Sequence, residues 1–154
     1  MSLGFSTSGP RQEEAVRRAS ALTVDGVRLF DAVQSTWNVL ESSVGPSLQA
    51  AHDAGLTVLV KEALANGRLA TTPPESVRQV AQDLAIGPDA VALAAAAHQP
   101  FVDRVLMGPA SVDQLRANLA ADAVTLSSDV LDALAHCAED PEPYWAHRSA
   151  LDWH

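Results

Sequence analysis

The chain has 154 residues, of which 47% are hydrophobic and 19% charged, and its formal net charge is −9. This length suits one domain with its own core. The negative charge disfavours a nucleic-acid surface, which needs basic patches. No apolar run reaches the roughly 20 residues that a membrane helix requires, and the first residues do not resemble a signal peptide. A single cysteine, Cys137, cannot form an internal disulfide and fits a reducing compartment. We therefore expect a cytoplasmic domain that binds neither nucleic acid nor a membrane.

Strands and helices alternate along the predicted chain. Short apolar runs bounded by glycine and proline predict the strands, and apolar residues at helical spacing predict the helices. In chain order we predict a strand at 3–8, a helix at 12–22, a strand at 27–35, a helix at 46–54, a strand at 56–60, helices at 75–84 and 89–98, a strand at 102–107, a helix from 111 to about 121 and a further helix at 129–137. The 89–98 helix is apolar on nearly every side and is expected to be buried. Residues 137–154 form a tail to this single domain, 1–154.

This order of elements predicts a parallel sheet with right-handed crossovers. Ligands of such sheets bind at the carboxyl ends of the strands, and the polar clusters of the chain follow those ends. Four strand–helix units are half of an eightfold barrel, which takes roughly 250 residues. As an open sheet they would leave two unprotected edges. The chain is therefore either a compact open sheet or half of a barrel that pairs with something else.

Four motifs in order favour the half-barrel. They are Gly4-Phe5-Ser6-Thr7, then Val33-Gln34 with Trp37-Asn38, then Ala63-Leu64 with Gly67-Arg68-Leu69, and finally Gly108 to Ser111 with Gln114-Leu115 and Asn118. Over residues 3 to about 135 they resemble strands five to eight of the aldo-keto reductases. The resemblance implies the C-terminal (βα)4 half of a TIM (α/β)8 barrel with an extra C-terminal helix. It also implies a family that reduces carbonyls with NADPH.

The resemblance implies a role for residues at the nicotinamide end of that cofactor. Ser6 and Thr7 would hold the carboxamide, with Gln34 beside it, and Thr7 replaces the usual Asn. Lys61 stands where an aromatic ring usually stacks on the nicotinamide, although a lysine could contact phosphate as a point charge. A plain alternative for Lys61 and Glu62 is a surface pair.

The remaining implied contacts follow the cofactor towards its adenosine. Leu64 and Gly67 would line the pyrophosphate, where Glu62 replaces a serine and would repel it. The adenosine end would be contacted by Gly108, Ala110, Gln114 and Asn118. Gln114 stands where many members use Arg for the 2′-phosphate, so the motif leaves NADP(H) and NAD(H) both open. Ser111 to Gln114 also reads as a helix capping box, which gives Gln114 a structural alternative.

The catalytic Asp, Tyr, Lys and His of the resembled family come from its first four strands, which have no counterpart here. The only tyrosine, Tyr144, lies in the tail. We therefore expect a truncated or fragmentary aldo-keto reductase that retains the cofactor half and does not catalyse hydride transfer alone. It would pair with a missing N-terminal half-barrel. The alternative is a non-catalytic half-barrel that self-associates as a homodimer, and a third interpretation is an open doubly wound binding module.

The other reactive side chains have no pattern that indicates a site. The histidines and Cys137 lack metal-ligand spacing, so no metal is expected. A group of acidic residues near the end is expected to form a solvated face; it comprises Asp129, Asp132, Glu139, Asp140 and Glu142.

Overall fold

The computed structural model describes residues 2–151. Its elements in chain order are β1 (Gly4–Ser6), α1 (Gln12–Ser20), β2 (Thr23–Val24), β3 (Val27–Arg28), β4 (Ala32–Thr36), α2 (Gly45–Asp53), β5 (Thr57–Lys61), α3 (Arg68–Thr71), α4 (Glu75–Asp83), α5 (Pro88–Ala97), β6 (Arg104–Val105), α6 (Val112–Leu119), α7 (Ser128–Ala135) and α8 (Pro141–Ser149). Short 3-10 turns at Ala65–Gly67 and Ala120–Ala123 precede α3 and follow α6.

Four of the strands form one parallel sheet in the order β1-β4-β5-β6. Ser6 lies beside Gln34 in the register of β1 and β4, and Thr36 lies beside Lys61 in that of β4 and β5. Each strand of this sheet thus pairs with the next sheet strand along the chain, as neighbouring strands do in a barrel wall. The predicted order of parallel strands and helices is confirmed.

The sheet is covered on one face. Val33, Ser35, Val58 and Val60 point to the helices and are fully buried. Gln34, Leu59 and Lys61 have the opposite parity and are only partly buried, although Thr36, the last residue of β4, is buried. Parallel sheets are normally covered on both faces, so within residues 2–151 this sheet has one open face. Its edge strands β1 and β6 each pair on one side only among the described residues.

Helix α5 is the centre of the packing, as its apolar composition predicted. Residues 90–96 are all at most 3% exposed. The helix belongs to both apolar clusters, one with the sheet through Leu93 and Ala96 and one with α4, α7 and α8 through Val91 and Ala95. Small alanine side chains allow neighbouring elements to approach from every direction.

The predicted strand at 27–35 is wrong in its first half. Asp25 (φ 51°) and Gly26 (φ 79°) form a tight turn that pairs β2 with β3 as an antiparallel hairpin. Positive φ at both central residues is the geometry of such hairpin turns. The sheet strand β4 starts only at Ala32. Strand β6 is also shorter than the predicted 102–107, because it is an edge strand held by β5 alone.

The tail contains a helix that was not predicted. Helix α8 begins with Pro141 at its first turn and buries Tyr144 and Trp145. Two adjacent aromatic residues give no helical periodicity, and the local signal was limited to the start of the helix, where Asp140 is the N-cap and Pro141 follows it. Within residues 2–151 no single helix is long and apolar enough to span a membrane, and α4 and α5 reach that length only together, across a bend of 97°.

Candidate functional site

A cleft of about 580 Å³ lies at the carboxyl edge of the sheet, between the segment that follows β5 and the start of α6. Its volume is in the range of small-molecule sites. The cleft is lined by seven of the residues that the motifs singled out: Glu62, Leu64, Gly67, Gly108, Ala110, Gln114 and Asn118. Asp89 and Leu93 of α5 also line it. Two motifs separated by about 40 positions in the sequence thus meet in one place.

The wall that follows β5 is a strained loop. Glu62, Ala65 and Asn66 have φ between 48° and 55°, and Gly67 has φ 91°. A left-handed backbone is unfavourable for residues with a side chain, and such residues concentrate at functional sites. The loop is held by hydrogen bonds from the Ala65 N–H to the Glu62 carbonyl (2.8 Å) and from the Gly67 N–H to the Leu64 carbonyl (2.9 Å). It presents backbone to the cleft in a fixed shape.

The opposite wall is the N-terminus of α6. The Gln114 N–H donates to the Ser111 hydroxyl (3.1 Å), and the Gln114 side-chain oxygen accepts from the Ala110 N–H (2.6 Å). This is a capping box displaced by one residue, because Gln114 reaches the residue before the cap. Gln114 therefore has the helix-capping role that the sequence suggested as an alternative to cofactor binding. A Cβ added at Gly108 would meet nothing within 4 Å, so the backbone there is open to the cleft.

The carboxylate of Glu62 has a cationic partner from the tail. Arg148 of α8 donates to it through Nη2 (2.6 Å) and Nε (3.5 Å), and this hydrogen bond raises the pKa of Arg148. The two side chains are 15% and 23% exposed. The surface pair of Lys61 with Glu62 is therefore wrong, and Glu62 brings no uncompensated charge to the cleft.

Lys61 belongs to a second polar group, on the open face of the sheet. Its ammonium donates to the hydroxyls of Ser6 and Ser8 (both 3.0 Å), and Ser6 donates to the Gln34 side-chain oxygen (3.2 Å). Thr7 is buried and its hydroxyl bonds that of Ser35 instead. The structure thus brings Ser6, Gln34 and Lys61 together, separates them from the lining of the cleft, and turns Thr7 to the covered side.

Asn38 and Tyr144 connect the tail to the site. The Asn38 amide donates to the Glu62 carbonyl (3.0 Å) and to the Tyr144 hydroxyl (2.9 Å). Burial of Tyr144, partly offset by the bond from Asn38, raises its pKa to about 12. Asn38 was visible in the second motif, but nothing in the sequence indicated Tyr144 as its partner.

A second ion pair anchors the segment before α8. Arg68, next to the cleft loop, pairs with Glu139, and its guanidinium lies 5.8 Å from the Tyr144 ring centroid. The expected solvated face is therefore wrong for Glu139. Among the described residues no group of three or more His, Cys, Asp or Glu side chains is placed to hold a metal.

Comparison with known proteins identifies the fold. No family model matches the sequence, and no curated protein matches it. Among solved structures, a thermostable aldo-keto reductase in complex with the inhibitor epalrestat matches with a TM-score of 0.66 and 20% identity, covering 88% of this chain and 48% of that one. The holo form of an aldo-keto reductase from Bacillus halodurans matches with a TM-score of 0.65 and 18% identity, covering 90% of this chain and 50% of that one.

The structural neighbours of the chain are thus aldo-keto reductases, as the motifs predicted. The chain spans about half the length of these neighbours. At such identities the likeness establishes the fold, an aldo-keto-reductase-like arrangement of a parallel sheet and helices.

Proposed function

We propose that the chain is the cofactor-binding half of an (α/β)8 barrel of the aldo-keto reductase type, and that its cleft binds a nicotinamide dinucleotide. The main observation that supports this proposal is that two motifs converge on one cleft at the carboxyl edge of a parallel sheet. Ligands of α/β folds bind at this edge. The neighbours named above support the choice of ligand through the reductase class that their descriptions give.

The residues present fit the phosphate portion of such a cofactor. A Cβ added at Gly67 or Gly108 would meet no neighbour, so a phosphate can approach the backbone on both walls. The first turn of α6 supplies N–H groups and the positive end of a helix dipole. The pairing of Glu62 with Arg148 offsets the one carboxylate expected beside the pyrophosphate. Ser6, Gln34 and Lys61 would hold the nicotinamide end from the open face.

We do not assign hydride transfer to this chain alone. The bound dinucleotide would supply the hydride, and the Asp, Tyr, Lys and His of the resembled family would come from another half-barrel. Tyr144 does not substitute for the catalytic tyrosine: its pKa of about 12 is the opposite of what an acid working near neutral pH needs.

The exposed apolar side chains support pairing with another half-barrel. Five large hydrophobic residues on the last strand–helix unit are 38–64% exposed, and we call them the seam: Leu106, Met107, Val112, Leu115 and Leu119. Exposed apolar patches are typical of association surfaces. The open edges of β1 and β6 could each take a parallel strand, and together with the seam they would bury the open face.

A second candidate is the homodimer. Because β1 and β6 run parallel at opposite edges of the sheet, β6 of one copy can pair with β1 of another, and a twofold axis then closes eight strands. Sedimentation separates the two candidates. A well-folded dimer of the chain alone supports self-association, whereas an aggregating monomer rescued by a co-expressed N-terminal half-barrel supports the complementary half.

The binding claim is tested by titrating the chain, alone and reconstituted, with NADH and NADPH under fluorescence detection. The variant Gly108→Val fills the open space of the cleft and should weaken binding about tenfold, or about 1.4 kcal/mol. Ala133→Val places a valine on the exposed face of α7 and should leave binding unchanged. Absence of binding by both preparations, or equal binding by the two variants, would refute the proposal.

A further inference from the structure

The cleft is poor in positive charge. Of the residues that line it within the described part of the chain, none is Lys, Arg or His, and two are carboxylates, Glu62 and Asp89. Glu62 is neutralised by Arg148 from outside the lining. No Lys, Arg or His within residues 2–151 forms an ion pair with Asp89. Asp89 is in the first turn of α5, one turn before Leu93, which lines the same cleft.

The wall formed by α6 adds no cation. Asp113 occupies its first turn, and Arg116 pairs with Asp113 at 3.3 Å on the exposed side of the helix. Gln114 presents a neutral amide whose oxygen is already bonded to the Ala110 N–H, which leaves the NH2 group to donate. The adenosine end of the cleft thus offers hydrogen bonds and the partial positive charge of a helix N-terminus, but no cationic side chain.

These charges discriminate between the two common nicotinamide dinucleotides, which differ only at the 2′ position of the adenosine ribose. A 2′-phosphate carries between one and two negative charges near neutral pH and requires a cation, for which Arg is the usual choice. A free 2′-hydroxyl can donate to a carboxylate and accept from an amide. Dinucleotide sites with an acidic residue near the ribose use it for this purpose.

We infer that the cleft takes a dinucleotide with a free 2′-hydroxyl, NAD(H), and rejects the 2′-phosphate of NADP(H). The inference rests on the proposed function, since it concerns the same cleft, and it departs from the NADPH that the resemblance implies. Asp89 and Gln114 are its specificity-determining residues. Asp89 is the charge that repels the 2′-phosphate, and Gln114 is the neutral side chain where a cation would otherwise stand.

The probes are ADP-ribose and 2′-phospho-ADP-ribose, which need only the adenosine and pyrophosphate part of the cleft, together with NADH and NADPH. Calorimetric titration of the chain should give about tenfold or tighter binding of each form without the 2′-phosphate. The ratio should shrink as salt is added, because screening weakens the repulsion.

Variants that change the charge of the cleft test the roles of Gln114 and Asp89. Gln114→Arg should reduce the preference about tenfold by tightening the phosphorylated probes, and Asp89→Asn should reduce it by removing the repulsion. Gln79→Arg adds the same charge on the exposed face of α4 and should leave the ratio unchanged.

The possible outcomes distinguish failure of the NAD(H) inference from failure of the proposed function. Equal or tighter binding of 2′-phospho-ADP-ribose by the unmodified chain would overturn the NAD(H) inference while the proposed function stands. An unchanged ratio in both Gln114→Arg and Asp89→Asn would overturn the roles of these residues. Failure of all four probes to bind would overturn the proposed function, and the inference with it.

Discussion

Alkaline pH should destabilise the fold through one side chain, Tyr144. It is 1% exposed, and burial raises its pKa from 10.0 to about 12. Between these two values the unfolded chain ionises the phenol and the folded chain keeps it neutral. The stability that Tyr144 contributes is therefore fully present below pH 10 and is lost as the pH rises to about 12. A difference of about two pH units corresponds to about 3 kcal/mol of unfolding free energy.

The assay benefits from the composition of the chain, because Tyr144 is its only tyrosine. Tyrosinate absorbance therefore reports this group alone, and far-ultraviolet circular dichroism followed in parallel reports whether the chain is still folded. Urea unfolding below and above pH 10 then measures the loss of stability.

The matched control is Tyr144→Phe. It removes the hydroxyl that accepts from Asn38, and Asn38 keeps its bond to the Glu62 carbonyl, so the cost near neutral pH should be about 1 kcal/mol. In this variant the loss of stability above pH 10 should shrink by the contribution of Tyr144. Tyrosinate formation near pH 10 in a still-folded chain, or an equal alkaline loss in both proteins, would refute the docking of α8 described above.

Three further predictions concern the walls of the cleft and the seam. Arg148→Ala should lower the unfolding free energy by about 2 kcal/mol and weaken dinucleotide binding, because it leaves the largely buried Glu62 carboxylate without this cation. Adding Glu62→Gln should recover part of the stability, measured by urea unfolding, and part of the binding, measured by fluorescence titration. No recovery in the double variant would contradict the pairing. Ser111→Ala should lower the unfolding free energy by about 1 kcal/mol through loss of the α6 cap. The control Ser128→Ala, one residue after the α7 cap, should lower it by less than about 0.5 kcal/mol. Equal losses of stability in thermal unfolding would contradict the capping role of Ser111. Leu115→Lys with Leu119→Lys should abolish association in sedimentation without changing the circular dichroism, whereas Leu84→Lys, at the exposed position that follows α4, should leave association unchanged. Unchanged association in the double variant would show that the seam is not an association surface.

The repeat of strands and helices was predictable because it is written in local patterns. The apolar run at 56–60 became strand β5, although its burial alternates because one face of the sheet is open. The alanine-rich run at 89–98 became α5, buried on all sides. Both inferences depend only on which residues avoid water, which the sequence displays directly.

The failures concern pairings that local patterns do not encode. The apolar residues Val24 and Val27 look like strand material, but the turn at Asp25 and Gly26 folds them into a hairpin where they are 56% and 69% exposed. Glu41 is fully buried because Gln12 donates to its carboxylate at 3.3 Å and the Ser43 hydroxyl bonds it too. Gln12 is 29 positions away in the sequence, so only the fold reveals that partnership.

The candidate site, like the fold, was predictable in some features and not in others. Residues that follow predicted strands could be placed at one edge of the sheet from topology alone, and seven of the residues singled out in this way line one cleft. The contacts made by α8 could not be foreseen, because the pairing of Arg148 with Glu62 joins residues 86 positions apart. Whether Glu62 brings a net negative charge to the cleft depends on that pairing.

Hydrogen exchange with and without ADP-ribose tests the central claim most directly, since it asks whether the two walls bind one ligand. Peptides covering residues 62–67 and 108–114 should both become protected on addition of ADP-ribose, with no change in the hairpin at 23–28. Protection of neither segment, or protection confined to elements away from the cleft, would contradict the assignment of this cleft as a dinucleotide site.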